Sequence, residues 1–225
     1  MPKKKNYSNK KKNLLLTILV VLIGSIVTGG TFAFMTLNIN VFNGVYSGSA
    51  TCFNILYNNT AGDNKITGTL YSSYKVMNGV SSRISIGIDP ECDVDGTGNI
   101  YMHLNNSNGI STLVQGVKEH CEDLRTLETL TNYTTSSDCL NHANTKWVTN
   151  GTALKYAVYA EMVNQPVSVG YLSSYNEDIK IYSDFELSKG ESNYFIYIWL
   201  DGNLIDNSYA SKIIDGYFYA DATQN

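Results

Sequence analysis

The chain has 225 residues, 43% hydrophobic and 16% charged, with four cysteines and a formal charge of −4. Without an N-terminal leader about 190 residues would remain, enough for one domain with a real core. From Phe34 onward 20 acidic residues face 10 basic ones, and a body of charge −10 repels phosphate backbones, which argues against nucleic acid as a partner.

The N-terminus is built differently. Lys3, Lys4, Lys5, Lys10, Lys11 and Lys12 hold six of the 16 basic residues, and no acid precedes Asp63. Residues 14–27 then read LLLTILVVLIGSIV, a run of 14 without charge, and counting on to Leu37 gives 24. Fourteen fits the core of a signal peptide, whereas 24 would span a bilayer. Both readings keep the lysines cytoplasmic and send the body outside. Thr28-Gly29-Gly30 loosens the helix end, and Thr31 and Ala33 supply the small residues that a signal peptidase needs just before its cut. The expectation is cleavage after Ala33, with Phe34 as the new N-terminus. The alternative is an uncleaved anchor through residues 14–37. Residues 1–33 are thus a basic tail with a signal peptide or membrane anchor, and 34–225 an extracellular domain.

A lysine-rich start, an apolar core and then Gly29, Gly30, Thr31, Phe32 and Ala33 resemble the leader of the TasA and camelysin family. That resemblance implies export by a Gram-positive bacterium and maturation by a SipW-type signal peptidase. It also implies a β-sandwich subunit of an extracellular fibre or surface coat, and in fibre-forming members a freed N-terminal strand that inserts into the next subunit. The C-terminal stretch 194–224, with Trp199-Leu200-Asp201-Gly202 and Gly216-Tyr217, is similar to uncharacterised secreted proteins of gut Firmicutes.

Most of the body reads as strands. Residues 34–42 alternate, with Leu37, Ile39 and Val41 on one parity. Residues 49–56 and 66–76 are β-rich and end in Asn or Gly turns. Residues 83–88 place three isoleucines on one face, and 99–104 form another short strand. In ALKYAVYAEM, residues 153–162, Leu154, Tyr156, Val158, Ala160 and Met162 share a side. YFIYIWL, residues 194–200, is apolar on both faces and predicts a central strand covered twice. Residues 215–222 close the chain. Short strands with regular turns predict an antiparallel β-sandwich, jelly-roll-like in kind. One segment departs from this. Val117, Cys121, Leu124, Leu127 and Leu130 recur at helical spacing, so residues 117–130 are expected to be a helix inside an insertion at about 116–147.

Cys52, Cys92, Cys121 and Cys139 allow three pairings. Outside the membrane paired thiols are the expected state. Cys121 and Cys139 flank the insertion and would close it, leaving Cys52 and Cys92 to join two strands. The competing reading makes His120, Cys121, Cys139 and His142 a zinc site, but adjacent helical residues such as His120 and Cys121 point apart. Asp93 and Asp95, with Asp89 and Glu91 nearby, are a calcium candidate. The loop lacks a third ligand before Gly96 and has Leu104 where a bidentate Glu belongs, so a Gly-rich turn is the simpler reading.

No catalytic constellation stands out. His103, His120 and His142 have no nucleophile motif around them, and there is no Gly-x-Ser-x-Gly, His-Glu-x-x-His or P-loop. Asp201 and Asp206 could pair as sugar-hydrolysing carboxylates, but Asp201-Gly202-Asn203 reads more simply as a turn. The expected function is therefore structural: an exported surface or matrix protein, not an enzyme, with no cofactor. Its partners would be a signal peptidase, the membrane through residues 14–37 before processing, and further copies of itself in a homopolymer. The alternative is an envelope-attached carbohydrate- or ligand-binding module, with Trp199 and surface tyrosines stacking on sugar rings. N-terminal sequencing of protein recovered from the medium is expected to begin at Phe34. Recovery only from membranes, with the lysine tail intact, would mean that the anchor is kept.

Overall fold

Alternation at period two sends successive side chains to opposite sides of a strand, so two sheets can close on their apolar faces. The computed structural model describes residues 36–37, 52–57, 64–70, 72–73, 76–107, 109–205, 209 and 212–225. The leader over 1–33, the cut between Ala33 and Phe34, and all of the expected strand over 34–42 except 36–37 lie outside the described residues. Two units are distinguished, Met1–Leu37 and Asn38–Asn225. The first contains the two-residue strand β1 (Thr36–Leu37). Among the described residues no helix is long and apolar enough to cross a membrane.

The second unit is mainly antiparallel β. Its strands are β2 (Phe53–Tyr57), β3 (Lys65–Leu70), β4 (Ser72–Ser73), β5 (Val80–Ile88), β6 (Gly96–Leu104), β7 (His120–Asp123), β8 (Thr145–Val148), β9 (Leu154–Ala160), β10 (Ser168–Tyr171), β11 (Asp178–Glu186), β12 (Gly190–Asp201) and β13 (Lys212–Gln224). In one sheet β13 pairs β3 on one edge and β6 on the other, and β6 pairs β11. The other sheet runs β10-β9-β12-β5-β2, with β4 parallel to the end of β12. β7 and β8 form a separate two-stranded ribbon.

One core lies between the two large sheets. Ile100, Met102 and Leu104 of β6 and Ile214, Phe218, Ala220 and Ala222 of β13 face Ile84, Ile86 and Ile88 of β5 and Tyr194, Ile196, Ile198 and Leu200 of β12. Each fully buried Ile or Leu contributes about 1.5–3 kcal/mol relative to an exposed one. Gly87 interrupts β5 for a reason of space: a Cβ there would sit 1.7 Å from the carbonyl oxygen of Gly190 on β12.

β9 and β12 are central and carry a second cover. Val76, Leu127, Ala157, Tyr159 and Trp199 form a smaller apolar cluster on their outer face, beneath the ribbon and the turn that follows β7. The expectation of a doubly covered strand over 194–200 thus matches β12. In the segment 153–162 the strand stops at Ala160. Met162 takes φ 63° in the following turn and is almost fully exposed, so it leaves the face that the alternation assigned to it.

The helix expected over 117–130 does not form. His120–Asp123 is strand β7, paired with β8, and the nearest helices are the short Ile110–Leu113 and Ser136–Leu140. Leu127 has φ 57°, which no right-handed helix accommodates, and Leu124 is half exposed. The apolar spacing reflects two separate burials. Cys121 is drawn into a disulfide and Leu127 into the cluster around Trp199.

Both disulfides form as expected, Cys52–Cys92 and Cys121–Cys139. The first ties the entry to β2 to the loop after β5, and the second ties β7 to the short helix Ser136–Leu140. With sequence separations of 40 and 18, loop closure stabilises by about 4 and about 3 kcal/mol. Paired thiols place this unit in an oxidising compartment.

Candidate functional site

Strand β9 reads LKYAVYA, apolar or aromatic at every position but one. Lys155 stands opposite Trp199 in the β9–β12 register, and Asp201 lies two residues beyond Trp199, on the same face of β12. That outer face is where the ribbon packs, and β7 brings Glu122 onto it. Lys155 is 0% exposed, Glu122 0% and Asp201 2%. Such charges persist in the interior only when each is paired and hydrogen-bonded, because desolvation costs several kcal/mol per ion.

The pairing is complete. Lys155 Nζ donates to Glu122 Oε1 at 2.7 Å, to Asp201 Oδ2 at 2.8 Å and to the Leu127 carbonyl at 2.7 Å. Three donors thus meet three acceptors. Leu127 offers its carbonyl from a left-handed conformation, strained for a leucine by about 1 kcal/mol. Glu122 also accepts from His120 Nε2 at 2.7 Å and from the Tyr171 hydroxyl, and Lys146 Nζ lies 3.5 Å away. His120 Nδ1 faces the Lys118 carbonyl at 2.7 Å. Both ring nitrogens therefore meet oxygen atoms. Asp201 is held otherwise: Oδ2 accepts from Thr129 Oγ1 at 2.7 Å, and Oδ1 from the Asn203 amide at 3.0 Å.

These contacts set the titration. Burial opposes ionisation of Glu122, but hydrogen bonds from His120, Lys155 and Tyr171 and the charge of Lys155 outweigh it and hold its pKa down to about 2. Burial and then the adjoining Glu122 carboxylate push the Tyr171 hydroxyl well above its ordinary range. An amine, two carboxylates and an imidazole thus meet in a site closed to bulk water. Above it lies a cleft of about 650 Å³, lined by His120, Thr129 and Asn203 from the network and by Tyr133, Trp147 and Tyr209. Trp147 is half-buried there and donates from Nε1 to Glu119 Oε2 at 3.1 Å.

The residues singled out in the sequence fall elsewhere. Asp93 is exposed and pairs with Lys189 at 3.1 Å, and Asp95 is exposed on the loop leading into β6. Among the described residues no three His, Cys, Asp or Glu side chains gather to hold a metal. The sulfurs of the alternative zinc set are spent in the Cys121–Cys139 bond, while His142 stacks on Tyr133 at 4.3 Å. Trp199 is 1% exposed and cannot stack on a sugar. Asp201 is bound to Lys155, and Asp206 lies outside the described residues.

The surface tyrosines of β6 and β13 occupy one another. Tyr101 stacks on its cross-strand partner Tyr219 at 4.9 Å, and His103 on Tyr217 at 4.8 Å. Each ring covers one face of its neighbour, and Lys180 Nζ lies 5.6 Å from the centre of the Tyr101 ring. Burial and then Asp221 push the Tyr101 hydroxyl up to about 12.

Sequence reasoning missed Glu122, taken as helical, and Lys155. The available signal was the single lysine inside an apolar strand. Comparison with known proteins gives no match, whether with family models, curated proteins or solved structures.

The network predicts an acid limit to stability. The folded pKa of Glu122, about 2, lies below the ordinary value of 4.5 for a free glutamate. The stabilisation from this group is therefore complete above pH 4.5 and disappears as the pH falls through 2. It amounts to about 3 kcal/mol. Urea denaturation as a function of pH is expected to show that loss in the wild type and a shallower one in Glu122→Gln.

Proposed function

We propose that the chain is an exported structural subunit of a bacterial cell surface or extracellular matrix, with a β-sandwich of jelly-roll type as its body. The observation that carries this reading is the pair of disulfides in an antiparallel body that follows a lysine-flagged apolar leader. The strand order β3-β13-β6-β11 against β5-β12-β9-β10 supports the jelly roll, since both sheets draw alternately on early and late strands. β2 then extends the second sheet beyond β5.

Assembly would use the segment over 34–42. Freed by a cut after Ala33, its alternating residues would add to an open sheet edge of a neighbouring subunit, with backbone hydrogen bonds supplying affinity and Leu37, Ile39 and Val41 entering pockets. Deleting residues 34–43 from the mature protein is expected to abolish polymer in sedimentation and electron microscopy while leaving the subunit folded. Polymer that persists after the deletion excludes strand donation.

The cleft supports a second reading, an envelope-attached carbohydrate-binding module. In place of the buried Trp199, the aromatic side chains Tyr133, Trp147 and Tyr209 line a concave site of suitable size. Glycan-array binding that is lost in Trp147→Ala is expected if this reading holds, and an array without hits dismisses it.

A further inference from the structure

We propose that Lys155 and Asp201 become joined by an isopeptide bond that the folded chain forms without another enzyme, with Glu122 carrying the proton. The reacting groups are already in contact, with Nζ 2.8 Å from Asp201 Oδ2 and 2.7 Å from Glu122 Oε1. All three side chains are buried, Trp199 is beside them, and reactants held in this way need no further ordering.

The two carboxylates are differently supplied, and this assigns their roles. Glu122 keeps two donors besides Lys155, His120 and Tyr171, and the Lys146 ammonium lies 3.5 Å away. The other partners of Asp201 are neutral, the Thr129 hydroxyl and the Asn203 amide. The reaction begins when a proton passes from Nζ to Asp201 Oδ2 across their 2.8 Å contact, which leaves a neutral amine against a neutral acid.

The chemistry then balances without any added reagent. The Nζ lone pair attacks Cγ of Asp201, and the carbonyl electron pair moves onto Oδ1, where the Asn203 amide at 3.0 Å stabilises it. The nitrogen, now cationic, gives a proton to Glu122 Oε1, its partner at 2.7 Å. Glu122 returns that proton to the Oδ2 hydroxyl, the Cγ–Oδ2 bond breaks with its electron pair, and the Oδ1 pair restores the carbonyl. One C–N bond forms, one C–O bond breaks, and one water leaves beside Thr129, which lines the cleft. Nothing is oxidised or reduced. The product is a covalent rung between adjacent strands β9 and β12 at the centre of the larger sheet, 46 residues apart in sequence. It forms whether or not the chain polymerises or binds a glycan.

The test is the intact mass of the mature full-length protein, reduced and alkylated, followed by peptide mapping. The expected result is a population lighter than its sequence by one water, with a branched peptide linking Lys155 to Asp201 and loss of tryptic cleavage after Lys155. Lys155→Ala and Asp201→Ala should show the full mass, and Glu122→Gln should keep both reacting residues but form little or no bond. A wild-type mass with no water lost overturns the proposal. So does a lost water that maps to a succinimide at Asp201-Gly202 or to a Lys155–Glu122 link. These outcomes are read on the wild type and do not depend on how the variants fold.

Discussion

A buried ammonium must find acceptors, and the three that Lys155 finds come from three different parts of the chain. Glu122 belongs to the ribbon, Asp201 to the end of β12, and the Leu127 carbonyl to the turn after β7. The lysine thereby holds the ribbon on the outer face of the larger sheet. Apolar contact alone would hold it weakly, since the second cluster contains only five buried residues. Removing one member of such a network strands the others without counter-charge, at a cost of about 3–5 kcal/mol.

The rest of the architecture can be followed outward from that point. Because the ribbon covers the outer face of β9 and β12, these strands are apolar on both sides, and Trp199 is buried where a sheet with one open face would expose it. Because the ribbon is short, it is closed by Cys121–Cys139 against the helix Ser136–Leu140. The cleft lies where the ribbon meets the 203–205 turn, so its floor is made of groups that also hold the charged network. Cover, crosslink and cleft thus all adjoin the one charge buried in the sheet.

Much of the fold was legible in the sequence because strands announce themselves locally. The isoleucines of residues 83–88 mark a face, and the run 194–200, apolar on both faces, marks a central strand, without reference to any other part of the chain. The cysteine pairing was legible too, since one pair brackets the insertion. The helix over 117–130 was misread because helical spacing and two unrelated burials produce the same apolar pattern. The alternative reading placed Trp199 on a sugar, whereas the doubly apolar run 194–200 already put it in a strand covered on both sides. Residues 178–186 went unmarked: β11 is an irregular edge strand with two register shifts and mostly exposed side chains.

By itself the sequence determined the class of the body as antiparallel β, its acidic charge, its four cysteines and the lysine-flagged apolar leader, all of which depend on composition or on spacing over a few residues. Only the tertiary structure decided that Lys155 lies between Glu122 and Asp201. Those carboxylates are 33 residues before it and 46 after it, and neither has a local pattern that points to the lysine. Strand pairing of β9 with β12 and the folding of the ribbon over them bring the three together. The physical reason is that periodicity specifies a face, whereas the partner of a buried charge is specified by which distant strand is laid beside it.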